Sequence, residues 1–322
     1  MLKIIPDNVN INFIGYRTKI FFISFGIILS SLLLCLTKGL NYGIDFKGGY
    51  IVEVRFPTEP KLDELRQKLK ERFGDASLQN MGSDSRDLAV KIERKNLNAE
   101  PEGPLTPEQE SDGHEKVVRQ IKEVLGEDVT YRKIETIGPT VGQELVRNAI
   151  KAVIFSILAI AIYIMLRFEW QFAICGMIAL AQDCFGLMGA YSLLALEFNA
   201  TAIVAILTTA SYSINDSIVI FDRIRENIRR YQKMPFDELI NKSINETLSR
   251  TVLTAGTTLF AILALCLFGG EVIRSFSLPI FIGISLGTFS SIALAAPLLL
   301  LFKLDREKMV AKGQVKHRGA VV

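Results

Sequence analysis

Six stretches of this chain are apolar for long enough to cross a bilayer, and the polar residues fall between them. They run Ile20 to Leu36, Ala152 to Leu166, Phe172 to Leu196, Ala200 to Phe221, Val252 to Phe268 and Leu278 to Phe302. A bilayer core is spanned by about 20 apolar residues in helical form, so the pattern predicts six membrane helices. The intervening stretch Gly39 to Arg147 has no long apolar run and predicts a separately folded domain. Within it, YIVEVRF at Tyr50 to Phe56 alternates as a strand does, and Leu62, Leu65 and Leu69 recur at helical spacing along Lys61 to Phe73. Strands near Ser77 to Asn80 and at Asp87 to Glu93, a helix at Glu115 to Leu125 and a strand at Val129 to Ile137 complete a β-α-β-β-α-β order. That is the ferredoxin-like split unit. Residues 96–113, rich in Pro, Gly and acids, predict an exposed loop.

The expected fold class is therefore an α-helical membrane protein with one α+β domain between helices 1 and 2. Its divisions are 1–38 for the N-terminus and first helix, 39–148 for the domain, 149–302 for the other five helices with a loop over 222–250, and 303–322 for a basic tail. The first run is followed by CLTKGLNYG, which offers no small-residue cleavage site, so it reads as a retained helix.

Basic residues orient the chain. The segment Asp222 to Arg250 carries Arg223, Arg225, Arg229, Arg230, Lys233, Lys242 and Arg250, and the tail carries Lys303, Arg306, Lys308, Lys312, Lys316 and Arg318. The turns at Glu197 to Asn199 and Gly269 to Arg274 hold Arg274 alone. Positive residues stay on the cytoplasmic side, so both termini are expected inside, and the domain outside, of a multi-pass protein.

Composition narrows the classes further. With 49% hydrophobic residues and a net charge of +3, the chain reads as an integral membrane protein. It shows no basic stripe with interleaved aromatics, which argues against a nucleic-acid partner. Cys35, Cys175, Cys184 and Cys266 sit in apolar runs without ligand spacing, so neither a disulfide nor a metal framework is expected. His114 and His317 lie in polar segments, leaving carboxylates to carry any proton in the membrane.

Asp216 is the anomaly. It lies inside the fourth run with no adjacent cation, where a carboxylate costs about 2.5 to 3.5 kcal/mol to insert. Such a residue marks a functional site by default. Thr209, Tyr212 and Ser213 fall at steps of three or four from one another and from Asp216, with Thr208 and Asn215 beside them, and predict a polar face. The competing reading is that these hydroxyls bond back to their own helix and Asp216 only joins two helices. In the third run, Asp183 follows Gln182, and two acids in successive helices suggest either a proton path or a catalytic dyad. The dyad reading lacks the G-x-G-D pattern of intramembrane aspartyl proteases. Arg250, Thr254, Thr257 and Thr258 share a face of the fifth helix, making Arg250 the expected partner of Asp216. Gly283, Gly287 and Ser291 in the last run are small residues at spacing four that let helices approach closely.

Two glycine signatures bracket the domain: GIDFKGG, with Asp45, Phe46, Gly48 and Gly49, and GPTVG, with Gly138, Pro139 and Gly142. Neither has the G-x-x-x-x-G-K-[ST] spacing of a phosphate loop. Taken with YSINDSIVIFDRIREN and INETLSRTVLT, they make the chain similar to the SecD/SecF family of protein-export membrane subunits, and to its smaller, SecF-type members. The resemblance covers essentially the whole chain and implies a fold of the resistance-nodulation-division (RND) type. It also implies a SecD partner, docking to the SecYEG channel and to YajC in a bacterial inner membrane, and a translocating polypeptide as substrate. No cofactor is implied; the proton gradient is the energy source. The family's essential acid falls at Asp216 and its arginine at Arg250, while Asp183 receives no comparable role. The alternative, a proton-driven small-molecule exporter of the same fold, would carry a much larger external domain.

Overall fold

The computed structural model describes residues 10–74, 76–81, 86–93, 118–126, 128–302 and 304. The expected loop over 96–113, the start of the helix placed at Glu115 and the tail from Asp305 lie outside the described residues. Among the described residues, six helices are long and apolar enough to cross a membrane. They are α1 (Arg17–Thr37), α5 (Pro139–Arg167), α6 (Trp170–Leu193), α7 (Ala200–Arg230), α8 (Phe236–Phe268) and α9 (Gly270–Ser290). The last continues through a π-helical turn at Ser291–Ala295, a short α10 (Ala296–Leu298) and a 3-10 turn at Leu299–Leu301.

Between α1 and α5 lie β1 (Asn41–Tyr42), α2 (Ile44–Lys47), β2 (Gly49–Arg55), α3 (Leu62–Phe73), β3 (Ala76–Asn80), β4 (Asp87–Glu93), α4 (118–125) and β5 (Thr130–Ile137). Strand order β3-β4-β2-β5, with every neighbour antiparallel, is the ferredoxin-like arrangement expected from the element order. The inward residues of this sheet, among them Val52, Val54, Leu88, Val90 and Ile92, pack on Leu65, Leu69 and Phe73 of α3 and on Ile121 and Leu125 of α4. That apolar burial is the main force holding the domain.

In the membrane, α6, α7 and α9 form the interior and α1, α5 and α8 the periphery. Of the most apolar window of each helix, 61%, 50% and 67% is buried in the first three, against 11%, 6% and 11% in the others. Small residues let the inner helices touch. A Cβ on Gly283 would overlap Thr209 Oγ1, and one on Gly287 would lie 2.9 Å from Ser213 Cβ, so the glycine pair of α9 seats directly on the polar face of α7. Gly189 of α6 meets Ser31 of α1 in the same manner.

The segment 222–250, expected as a loop, is instead helical. Helix α7 runs on to Arg230 and α8 begins at Phe236, leaving only 231–235 to turn the chain. Its charges are spent across the two helices. Arg223 donates to Glu246 at 2.7 Å, and Asn227 Nδ2 donates to Ser243 Oγ at 2.9 Å and to Glu246 at 2.7 Å. The chain before α1 is bound alongside, with Asn241 Oδ1 accepting from the Phe13 amide and Asn245 from the Ile11 amide, each at 2.9 Å. The turn expected over 269–274 shrinks to Gly269, because α9 starts at Gly270.

Candidate functional site

The N-terminus of α7 is where the domain grips the bundle. Asn199 caps it through its own side chain, accepting from Thr201 and Ala202 at 3.1 and 3.3 Å. The remaining free amide, that of Ala200, donates to Asp45 Oδ2 at 3.0 Å. The glycine motif exists to deliver that carboxylate. Gly48 adopts φ +79°, in the left-handed region that side chains resist, and Gly49 lies so close to β4 that a Cβ would overlap the Ile92 carbonyl. Phe46 stacks against Phe198, which also packs on Tyr42 and Tyr191 with ring centroids 5.3 to 6.1 Å apart. β1 pairs in parallel with β6 (Glu197–Phe198), which leads straight into α7. The second glycine motif closes the joint: Gly138 precedes Pro139, the first residue of α5, and a Cβ on Gly142 would come within 3.0 Å of the Phe46 carbonyl. Asp45, Phe46, Gly48, Gly49, Gly138, Pro139 and Gly142 thus meet at one junction between the domain, α5 and α7.

Between about two and a half and four and a half turns further along α7, Thr209, Ser213 and Asp216 are buried in the bundle. Tyr212 and Asn215, placed by spacing on the same face, point outward instead and are exposed. Thr254, grouped with Arg250, is exposed as well and spends its hydroxyl on the Arg250 carbonyl at 2.9 Å. Thr257 and Thr258 likewise bond back to Thr254. On α8 the buried hydroxyls are Ser243, two turns before Arg250, Thr247, about one turn before it, and Thr251, beside it.

Asp216 is 7% exposed, and its carboxylate has no hydrogen-bond partner among the described residues. Its expected pairing with Arg250 is not a direct ion pair: no contact within 4.0 Å joins them. Arg250 is nonetheless the charge whose field reaches Asp216. The two are set for a through-space interaction that a small helix movement would strengthen or weaken.

Asp183 occupies a different setting. It is fully buried, and both Ser213 Oγ and Ser290 Oγ, the latter at 2.8 Å, reach its Oδ2. Ser291 Oγ donates to the Ser213 carbonyl at 2.8 Å and Ser217 to Ser291 Oγ at 3.1 Å. Asp183 is therefore bonded to serines, and no hydrogen bond joins it to Asp216 as the carboxyls of an aspartyl dyad are joined. Ser291, grouped in the sequence with Gly283 and Gly287 as a small residue for close approach, also bonds its hydroxyl to α7, and spacing along one helix could not reveal Ser290, which comes from a helix more than a hundred residues away. No three His, Cys, Asp or Glu side chains among the described residues converge in a way that could hold a metal ion.

Relatives share this architecture. Residues 117–305 match the protein export membrane protein SecD/SecF C-terminal family, and residues 34–56 the SecD/SecF GG motif. A protein translocase subunit SecF from Rickettsia bellii is 42% identical over 302 residues, covering 94% of this chain and 96% of its own. That of Rickettsia prowazekii is 41% identical over 318 residues, with 97% and 98% covered. A crystal structure of SecDF, a translocon-associated membrane protein from Thermus thermophilus, superposes with a TM-score of 0.75 at 37% identity. A second SecDF crystal structure, in the super-membrane-facing form, gives 0.67 at 35%. This chain covers 39% and 41% of those longer SecDF chains, which in turn account for 92% and 99% of it. On sequence and fold together, the chain belongs to the SecF family of protein translocase subunits.

Proposed function

We propose that this chain acts with a SecD partner as a proton-driven subunit of the Sec protein translocase. In this reading Asp216 takes a proton from the side of the domain and releases it to the other. The changing charge alters its interaction with Arg250 and shifts α7 against α8 and α9. The observation that carries the reading is the Asp45 bond to the first amide of α7, because movement of the Asp216 helix is passed directly into the domain. The domain then alternates between two poses, each with a different hold on a translocating polypeptide. The work is transport, without covalent chemistry on the substrate, and the gradient takes the place of a cofactor. The domain lies outside the inner membrane and both termini lie in the cytoplasm, where the α7–α8 hairpin offers its basic residues. SecYEG and YajC are the partners through which substrate would reach the pair.

One charge crossing about 100 mV releases roughly 2.3 kcal/mol, enough to shift a two-state ratio some fifty-fold. A complete switch from 1:99 to 99:1 needs about 5.5 kcal/mol, so a single proton biases the domain without fully committing it. The direct test compares wild type with Asp216→Asn in gradient-dependent translocation of a secreted protein into inverted vesicles at equal subunit levels. Selective loss of the gradient-dependent part supports the reading, and equal activity overturns it.

A further inference from the structure

The Asp183 carboxyl has no task in the reading above, yet its surroundings are built around it. It sits where α6, α7 and α9 meet, 0% exposed, with Oδ1 unpartnered and two hydroxyls on Oδ2. The hydroxyls on it are Ser213 of α7 and Ser290 of α9, and the other buried polar groups of the packed elements are Thr209 and Ser217 on α7, Ser291, Gln182 on its own helix and Ser24 on α1. The other carboxylate is Asp216 on α7, and Cys184 is its neighbour in sequence. No Lys, Arg or His acts on Asp183 among the described residues.

Counting hydrogens shows which protonation state these contacts favour. Ser290 Oγ lies 2.8 Å from Asp183 Oδ2 and 3.0 Å from the Gly287 carbonyl, and it has one hydrogen for the two. If Asp183 were a bare carboxylate, that hydrogen would be drawn to it, Gly287 would keep only the backbone bond it accepts from Ser291, and Oδ1 would be a buried charge without any donor among the described residues. If Asp183 is protonated, Ser213 donates to Oδ2, the Oδ2 hydrogen is donated to Ser290, and Ser290 keeps its bond to Gly287. Every contact then has a hydrogen. Ser290 is also the residue immediately before the π-helical turn at Ser291–Ala295, and such turns inside a helix recur where a helix changes geometry for function.

We propose that Asp183 is a second protonation site of the transport cycle, and that its proton sets the Ser290 hydroxyl and through it the π turn of α9. Loading converts the Asp183 carboxylate and one proton to the carboxyl. Unloading returns that proton to the path Asp216 serves, and no other bond is made or broken. The proposal rests on the proton-driven reading of Asp216 and adds to it the second proton that a fuller switch of the domain calls for.

The test uses vesicles holding the chain with its SecD partner, in which infrared difference spectra are recorded as a pH gradient is imposed. In wild type, two carboxyl bands respond, that of Asp183 at the frequency of a hydrogen-bonded carboxyl. Asp183→Asn, which keeps the shape and can still bond both serines, removes one of them, and gradient-driven translocation falls by roughly a hundredfold, as when a positioned proton carrier is lost. Ser290→Ala leaves that band present but moved, a readout that does not depend on how well Asp183→Asn assembles. The proposal is overturned if Asp183→Asn keeps both bands and full translocation, or if Ser290→Ala leaves the spectrum as in wild type. When those results accompany an inactive Asp216→Asn, only the second site fails. When Asp216→Asn is silent too, the proton-driven reading itself falls.

Discussion

Asp45 Oδ2 accepts the backbone N–H of Ala200 at 3.0 Å, so a residue of the domain completes the cap of the helix that carries Asp216. A carboxylate at this end also meets the positive pole of the helix dipole. Caps of this kind contribute about 0.5 to 2 kcal/mol. Asp45→Ala is expected to leave α7 folded, since Asn199 still holds two amides, but to uncouple it from the domain. Hydrogen exchange should quicken at the Ala200 amide while the sheet stays protected, and gradient-dependent translocation should drop with assembly intact. Unchanged exchange at Ala200 would show that the bond does not persist.

The contact of Gly283 with Thr209 gives a two-sided test. Gly283→Ala places a methyl group on Thr209 Oγ1, and overpacking of this sort costs about 1 to 3 kcal/mol. A lower melting temperature in detergent is expected. Thr209→Ala removes the obstructing hydroxyl, so the double variant should recover most of the loss, and its interaction energy in a double-mutant cycle should be of opposite sign to the single effect. Additive losses would place the strain elsewhere.

A half-buried ion pair also docks the domain: Lys91 of β4 donates to both Glu197 oxygens at 3.0 and 2.8 Å, just ahead of α7. Hydrogen bonds to charged groups contribute about 1.5 to 3 kcal/mol, more than an exposed pair does. Glu197→Gln should loosen the domain from the bundle and raise its rate of proteolytic cleavage between β5 and α5, most clearly at low salt. A cleavage rate equal to wild type at every salt concentration would mean that the aromatic cluster, the β1–β6 pairing and the Asp45 bond hold the joint without the ion pair.

Periodicity carried most of the architecture. Strand alternation at Tyr50 to Phe56 and leucine spacing along α3 are local signals, and the sheet formed as they indicated. The segment 222–250 misled because charges were read as solvent exposure. Arg223, Asn227 and Glu246 bond to one another across two helices, and hydropathy along one strand of chain does not show such pairing. Face assignment by steps of three or four had a similar limit. It gathered Thr209, Ser213 and Asp216 correctly but carried Tyr212 and Asn215 to the outside, because each step of three departs by about 60° from a full turn. The surroundings of Asp183 were beyond reach, since they depend on how α9 registers against α6 and α7.

The separation of Asp216 from Arg250 bears on what the arginine supplies. A bidentate guanidinium–carboxylate fork would make Arg250 irreplaceable, since lysine cannot reproduce its planar geometry. Here no contact within 4.0 Å joins the two, and Arg250 acts on Asp216 as a charge at a distance. Arg250→Lys, which preserves the charge, is therefore expected to retain about half or more of gradient-dependent translocation, whereas Arg250→Met should be as inactive as Asp216→Asn. If the lysine variant is as inactive as the methionine variant, the two residues must close to a direct, two-pronged contact at another stage of the cycle. The approach of α8 to α7 would then be the movement that proton transfer drives.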